Sequence, residues 1–152
     1  MSLSKIKIEK TAKGLIGHFD EKAKITIEEV DEVWKLNIES EMSPLLIGRR
    51  GQTLQALEHL LRLMLARQTE EFLAVNLDIS GYKASREVEI IFQAKEASEK
   101  VLSSAQEQAL PPMNAFERRL VHLTLSDIEG IETESEGVEP ERRIVIRKKQ
   151  SR

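Results

Sequence analysis

Between residues 24 and 79 the apolar spacing changes from that of a strand to that of a helix and back. The change is made at Gly48-Arg49-Arg50-Gly51. Leu46-Ile47 runs into the first glycine, and Gln52-Thr53-Leu54 opens a long apolar helix pattern after the second. Glycine has no Cβ, so the backbone there can turn tightly and admit another backbone closely. The helix that follows presents unpaired N–H groups and the positive end of its dipole, which suit phosphate. Arg49 and Arg50 add fork-shaped donors that match phosphate oxygens. A Gly-x-x-Gly tetrapeptide alone is most often an ordinary turn, and two loop arginines are usually solvated. The surrounding chain therefore has to decide.

Residues 1–23 predict one helix, with Ile8, Ala12, Leu15, Ile16 and Phe19 on its core face and Lys5, Lys7, Lys10 and Lys13 solvated. Residues 24–40 predict a β-hairpin. Ile25 and Ile27 alternate with polar neighbours, as do Trp34, Leu36 and Ile38, and Asp31-Glu32 makes the turn. Trp34 is assigned to packing rather than to base stacking. Pro44 opens a short helix that ends at Gly48. From Leu54 the stripe is Leu54, Leu57, Leu61, Met64 and Leu65, with Leu60 and Leu63 beside it. It is wider than the ~100° a surface helix needs, which points to a second packing surface. Residues 72–79 predict a strand with Leu73, Val75, Leu77 and Ile79 on one face. The order helix, strand, strand, helix, Gly-x-x-Gly, helix, strand resembles a type II KH domain. That resemblance implies a nucleic-acid contact set of Ile47, Gly48, Arg49, Arg50, Gly51 and Gln52, with Ile47 and Leu54 supplying an aliphatic groove.

Residues 82–107 predict a long connecting helix whose stripe is Val88, Ile91, Val101, Leu102 and Ala105, and Pro111-Pro112 marks a boundary after it. Asn114 then stands as a helix N-cap with Glu117 three residues on. Phe116, Leu120 and Leu123 read as the core face of that helix. Arg118 and His122, four apart, share a face roughly opposite. Strands are expected over 130–135 and 142–148, joined by the turn at 136–140. An arginine and a histidine one turn apart suit phosphate and base recognition, although a plain surface pair has the same spacing. They do not suit catalysis, because no nucleophile accompanies them and His18, His59 and His122 are scattered.

Leu110 to His122, Ser135-Glu136-Gly137 and Pro140 to Ile146 resemble the small single-stranded-nucleic-acid-binding domain named for its Arg-x-x-x-His. The two halves together resemble the bacterial Jag family (SpoIIIJ-associated proteins), over about residues 5–148. The implied fold is α+β: a type II KH domain (αββααβ) joined by a long helix to a small α/β domain with a short antiparallel sheet. The implied division is 1–80, KH domain; 81–107, connecting helix; 108–148, Arg-x-x-x-His domain; 149–152, basic tail. The second half adds Arg118, His122, Ser135, Arg142 and Arg143 to the contact set. Two departures stand out. The additional small N-terminal domain and linker usual in the family have no counterpart in these residues, and Ala115 stands where the family commonly has proline.

Composition limits the function. The net charge of −3 excludes a generic polyanion binder, so any nucleic-acid site is a local basic patch. Arg142, Arg143, Arg147, Lys148, Lys149 and Arg152 supply one, directly after an acidic run from Asp127 to Glu141. Cysteine is absent, which fits a reducing cytoplasm, and no apolar run approaches the ~20 residues of a membrane span. Aromatic content of 4% limits base stacking. The expected function is single-stranded RNA binding, with single-stranded DNA as the other candidate ligand; the family resemblance implies that it acts in control of growth and division, often with a second small KH protein. The wide stripe at Leu54–Leu65 makes another copy of the chain the other expected partner. No catalysis, cofactor, metal or membrane insertion is expected. The competing expectation is a protein-interaction adaptor that keeps the fold without touching RNA. A nuclease would need clustered carboxylates for metal, and here the acids are dispersed.

Overall fold

In the computed structural model, which describes residues 2–150, strand alternation and helix periodicity sort the chain into two units, Met1–Lys83 and Ala84–Arg152. In the first unit, Ser2 caps helix α1 (Leu3–Gly17) by accepting from the Lys5 N–H. Ile8, Ala12, Leu15 and Ile16 are buried along it. Phe19, expected on the same face, is 43% exposed, because α1 ends at Gly17 and the chain turns before reaching it. Strands β1 (Lys24–Val30) and β2 (Val33–Glu39) form the hairpin, with Ile27 opposite Leu36. Helix α2 (Ser43–Ile47), a tight turn at Arg49–Gly51 and helix α3 (Gln52–Thr69) then cross over to β3 (Val75–Ile79). A parallel pair needs such a crossover, and β3 lies parallel to β2 in the order β1-β2-β3. The αββααβ order of a type II KH domain is therefore present.

The core of this unit is the inward row Trp34, Leu36, Ile38, Val75, Leu77 and Ile79 packed on Leu46, Leu54, Leu57, Leu61 and Leu65. Each buried leucine or isoleucine stabilises the unit by about 1.5–3 kcal/mol. The strand begins at Val75 rather than near residue 72, so Leu73 only borders the core. Side chains of α3 cover the free edge of β3. Arg62 donates to the Val75 carbonyl, and Glu58 accepts from the Leu77 N–H. Lys83 joins Glu58 at 2.6 Å.

Helix α4 (Tyr82–Ser104) starts at the end of the first unit and supplies core to the second. Its buried stripe is Ile90, Ala94, Ala97 and Val101, whereas Val88 is 69% exposed and Leu102 is 40% exposed. Of the expected stripe Val101 is in the core, while Val88 and Leu102 are turned out of it. Alanines carry much of the true one, and alanine is nearly silent in an apolar pattern. Strand β4 (Gln108–Ala109), not anticipated, is followed by α5 (Ala115–Leu125), β5 (Ile131–Glu136) and β6 (Arg143–Lys148). The three strands form an antiparallel sheet in the order β4-β6-β5. Pro111-Pro112 lies inside this unit, between the buried Leu110 and Met113. Lys149 follows β6, and Arg152 of the expected tail lies outside the described residues.

Candidate nucleic-acid interface

The glycine-bracketed turn is built by close packing. Gly48 ends α2 at φ 72° and ψ −176°, a backbone geometry reserved for glycine. A Cβ there would lie 2.1 Å from Thr53 Oγ1. Gly51, at φ 74°, leads into α3, and a Cβ on it would lie 2.8 Å from Tyr82 Cε1. Arg50 sits between them at φ 56°, in the left-handed region that side chains seldom adopt. No side chain caps α3, and no carboxylate stands in its first turn. Arg49 is exposed and Arg50 half-buried, and among the described residues neither is in an ion pair. Arg50 Nε is buried without a hydrogen-bond partner. Two guanidinium groups with no carboxylate partner thus stand at the positive end of an 18-residue helix. Of the remaining loop residues, Ile47 is half-buried against the core and Gln52 is exposed. Leu54, expected to line a groove, is 2% exposed and belongs to the core, because it points into the sheet from the first turn of α3.

The second constellation differs from its expected form. Arg118 is only 9% exposed. Its Nη1 donates to the Met113 carbonyl at 2.6 Å, and its Nη2 pairs with Glu139 at 2.7 Å. The face it shares with His122 is therefore not opposite the core. Val121 and Leu125 are the buried apolar residues of α5, while Phe116 and Leu123, expected in the core, are 65% and 61% exposed. Glu117 makes that orientation tolerable. It completes the capping box with Asn114 and accepts from Arg86 Nε at 3.0 Å, so its buried carboxylate is fully engaged.

His122 Nδ1 meets Thr133 Oγ1 at 2.6 Å. Thr133 and Ser135 are two apart in β5 and face the same way, and Ser135 Oγ accepts from Arg142 Nε at 2.7 Å. The fold thus brings His122, Thr133, Ser135 and Arg142 into one row. Arg143 is half-buried at the start of β6, and among the described residues neither Arg142 nor Arg143 is in an ion pair. Arg147 is already committed. Glu136, Glu107 and Glu134 all accept from its guanidinium, and these hydrogen bonds, Glu136 foremost, raise its pKa further. Sequence reasoning missed Thr133 and Glu139. The alternation Ile131, Thr133, Ser135 would have placed Thr133 beside the helix, whereas nothing local announces Glu139.

Two family descriptions match the chain: "KhpA/KhpB, KH domain" over residues 5–79 and that of the Arg-x-x-x-His domain over residues 88–148. Among similar proteins, one from Bacillus subtilis is 32% identical over 145 residues, 94% of this chain and 68% of that protein. One from Clostridium symbiosum is 31% identical over 122 residues, 80% of this chain and 55% of that protein. One from Lactiplantibacillus plantarum is 31% identical over 111 residues, 73% of this chain and 34% of that protein. Each is named RNA-binding protein KhpB. The chain thus spans from 34% to 68% of the length of these relatives, and 55% of the one from Clostridium symbiosum.

Proposed function

Since the chain belongs to the KhpB (Jag) family, with a KH domain followed by an Arg-x-x-x-His domain, we propose that it binds single-stranded RNA and performs no chemistry. The observation that carries this reading is the turn at Gly48–Gly51, where Arg49 and Arg50 stand without ion-pair partners among the described residues, at the start of α3, which no side chain caps. That arrangement binds a phosphate without first breaking an internal contact. The second unit offers a contact set of its own, His122, Ser135, Arg142 and Arg143, which Arg118 joins when Glu139 releases it. Ile47, Gly48, Gly51 and Gln52 complete the loop contact. The protein works in the cytoplasm, in post-transcriptional control of growth and division. No helix among the described residues is long and apolar enough to cross a membrane.

Pairing with a second small KH protein, or with another copy of the chain, belongs to the same reading. Leu60 and Leu63 on α3 are 43% and 55% exposed, and they offer such a partner an apolar strip. The test is charge reversal at the loop. Arg49→Asp together with Arg50→Asp is expected to weaken binding of a fluorescent single-stranded RNA at least tenfold with the melting temperature unchanged. Unaltered RNA affinity in that variant would favour an adaptor that uses these surfaces for proteins.

A further inference from the structure

All four phenylalanines of this chain are exposed. Phe19 is 43% exposed, Phe72 85%, Phe92 67% and Phe116 65%, whereas Trp34 is buried. Exposed aromatic rings are ready-made stacking platforms only where the electrostatics admit a polyanion. That requirement separates the four. Phe72 follows Glu70 and Glu71, Phe19 precedes Asp20, and Phe92 lies on a helix turn where Glu89 and Glu96, ion-paired to Arg86 and Lys100, flank Lys95. Phe116 alone has the opposite setting. On α5 it shares the outward face with Arg119 and Leu123, three and seven residues on. Arg119 is exposed and, among the described residues, in no ion pair. The single carboxylate of α5, Glu117, is buried and turned to Arg86 and Asn114. An outward helix face with a bare ring, an arginine outside any ion pair among the described residues and no outward carboxylate of its own helix suits a nucleotide, whose base can stack on the ring while its phosphate meets the guanidinium.

We propose that Phe116, Arg119 and Leu123 form a base-stacking face of the second unit, distinct from the Arg118–His122 face. The ring stacks on a base of the single-stranded RNA, Leu123 extends the apolar floor, and Arg119 pairs with the adjacent phosphate. This deepens the RNA-binding reading and rests on it.

The experiment measures binding of a fluorescent single-stranded RNA across several salt concentrations. It compares the unaltered chain with Phe116→Ala, Phe116→Trp, Arg119→Ala and Phe72→Ala. Phe116→Ala is expected to weaken binding roughly 5- to 100-fold with an unchanged salt slope, because stacking releases no counterions. Phe116→Trp keeps the affinity, which separates stacking from any change in folding. Arg119→Ala lowers the log–log salt slope by about 0.7. Phe72→Ala changes nothing. If Phe116→Ala binds as tightly as the unaltered chain while reversal at Arg49 and Arg50 abolishes binding, this face is not a base site and the RNA reading stands. Equal losses from Phe116→Ala and Phe72→Ala would likewise overturn the assignment. If the unaltered chain fails to bind at low salt, both readings fall.

Discussion

Gly48 and Gly14 show how differently one residue type behaves at two places. At Gly48 the backbone is at φ 72° and Thr53 Oγ1 occupies the space a Cβ needs. Gly48→Ala is expected to cost about 2 kcal/mol or more. Gly14 lies inside α1 with nothing near its missing Cβ, so Gly14→Ala should stabilise by about 0.5–1 kcal/mol. Urea unfolding of the two variants checks both signs. Arg118 presents a competition of another kind. A phosphate reaches its Nη2 only by displacing the Glu139 carboxylate, whose own side chain is 58% exposed. Glu139→Gln is therefore expected to tighten RNA binding roughly two- to fivefold, the scale of an ion pair whose carboxylate is open to solvent. The gain should vanish when Arg118 is also changed to Gln. Unchanged affinity in Glu139→Gln would mean that Arg118 holds the Met113 loop in place and does not touch RNA. The Arg-x-x-x-His spacing was legible in the sequence, but its burial was not. Both of Arg118's partners, a backbone carbonyl and a carboxylate from the β5–β6 connection, are supplied by tertiary structure.

Elements with a single apolar face were legible, and those with two were not. The first hairpin was plain from alternation, and its turn residues Asp31 and Glu32 are both at positive φ, 51° and 64°. Two-residue hairpin turns of that kind favour Asn-Gly. Replacing Asp31-Glu32 by Asn-Gly is expected to stabilise the first unit by about 1 kcal/mol, read as a higher urea midpoint with an unchanged slope. No change would mean that the two acids are better accommodated than their backbone suggests. Helix α5 carries two candidate apolar faces. Phe116, Leu120 and Leu123 make the larger, yet Val121 and Leu125 are the ones buried; of the expected three only Leu120 packs against the core. The choice was settled by Glu117 and Arg118, two charged residues that go inward because Asn114, Arg86, Met113 and Glu139 satisfy them. No count of apolar residues contains that information. In α4 the same failure came from alanines at 94 and 97.

At the scale of the whole molecule the chain carries a net charge of −3, so the proposed RNA binding has to rest on a few cations outside the ion pairs of the described residues. Arg147, caged by three glutamates, is not one of them. Arg49, Arg50, Arg119, Arg142 and Arg143 are, and they are divided between the two units. The two-domain order was legible in the sequence because the motifs at Gly48–Gly51 and Arg118–His122 each sit in a recognisable run of elements. Two sites on one strand raise affinity through effective concentration, not through new contacts. The most direct measurement is therefore the affinity and salt slope for a long single-stranded RNA beside those for one too short to occupy both units. The long strand is expected to bind at least tenfold more tightly, with a steeper slope by about 0.7 for each added phosphate contact. Equal affinity and equal slope at the two lengths, or binding indifferent to salt at both, would contradict an RNA-binding protein that uses its KH and Arg-x-x-x-His halves together.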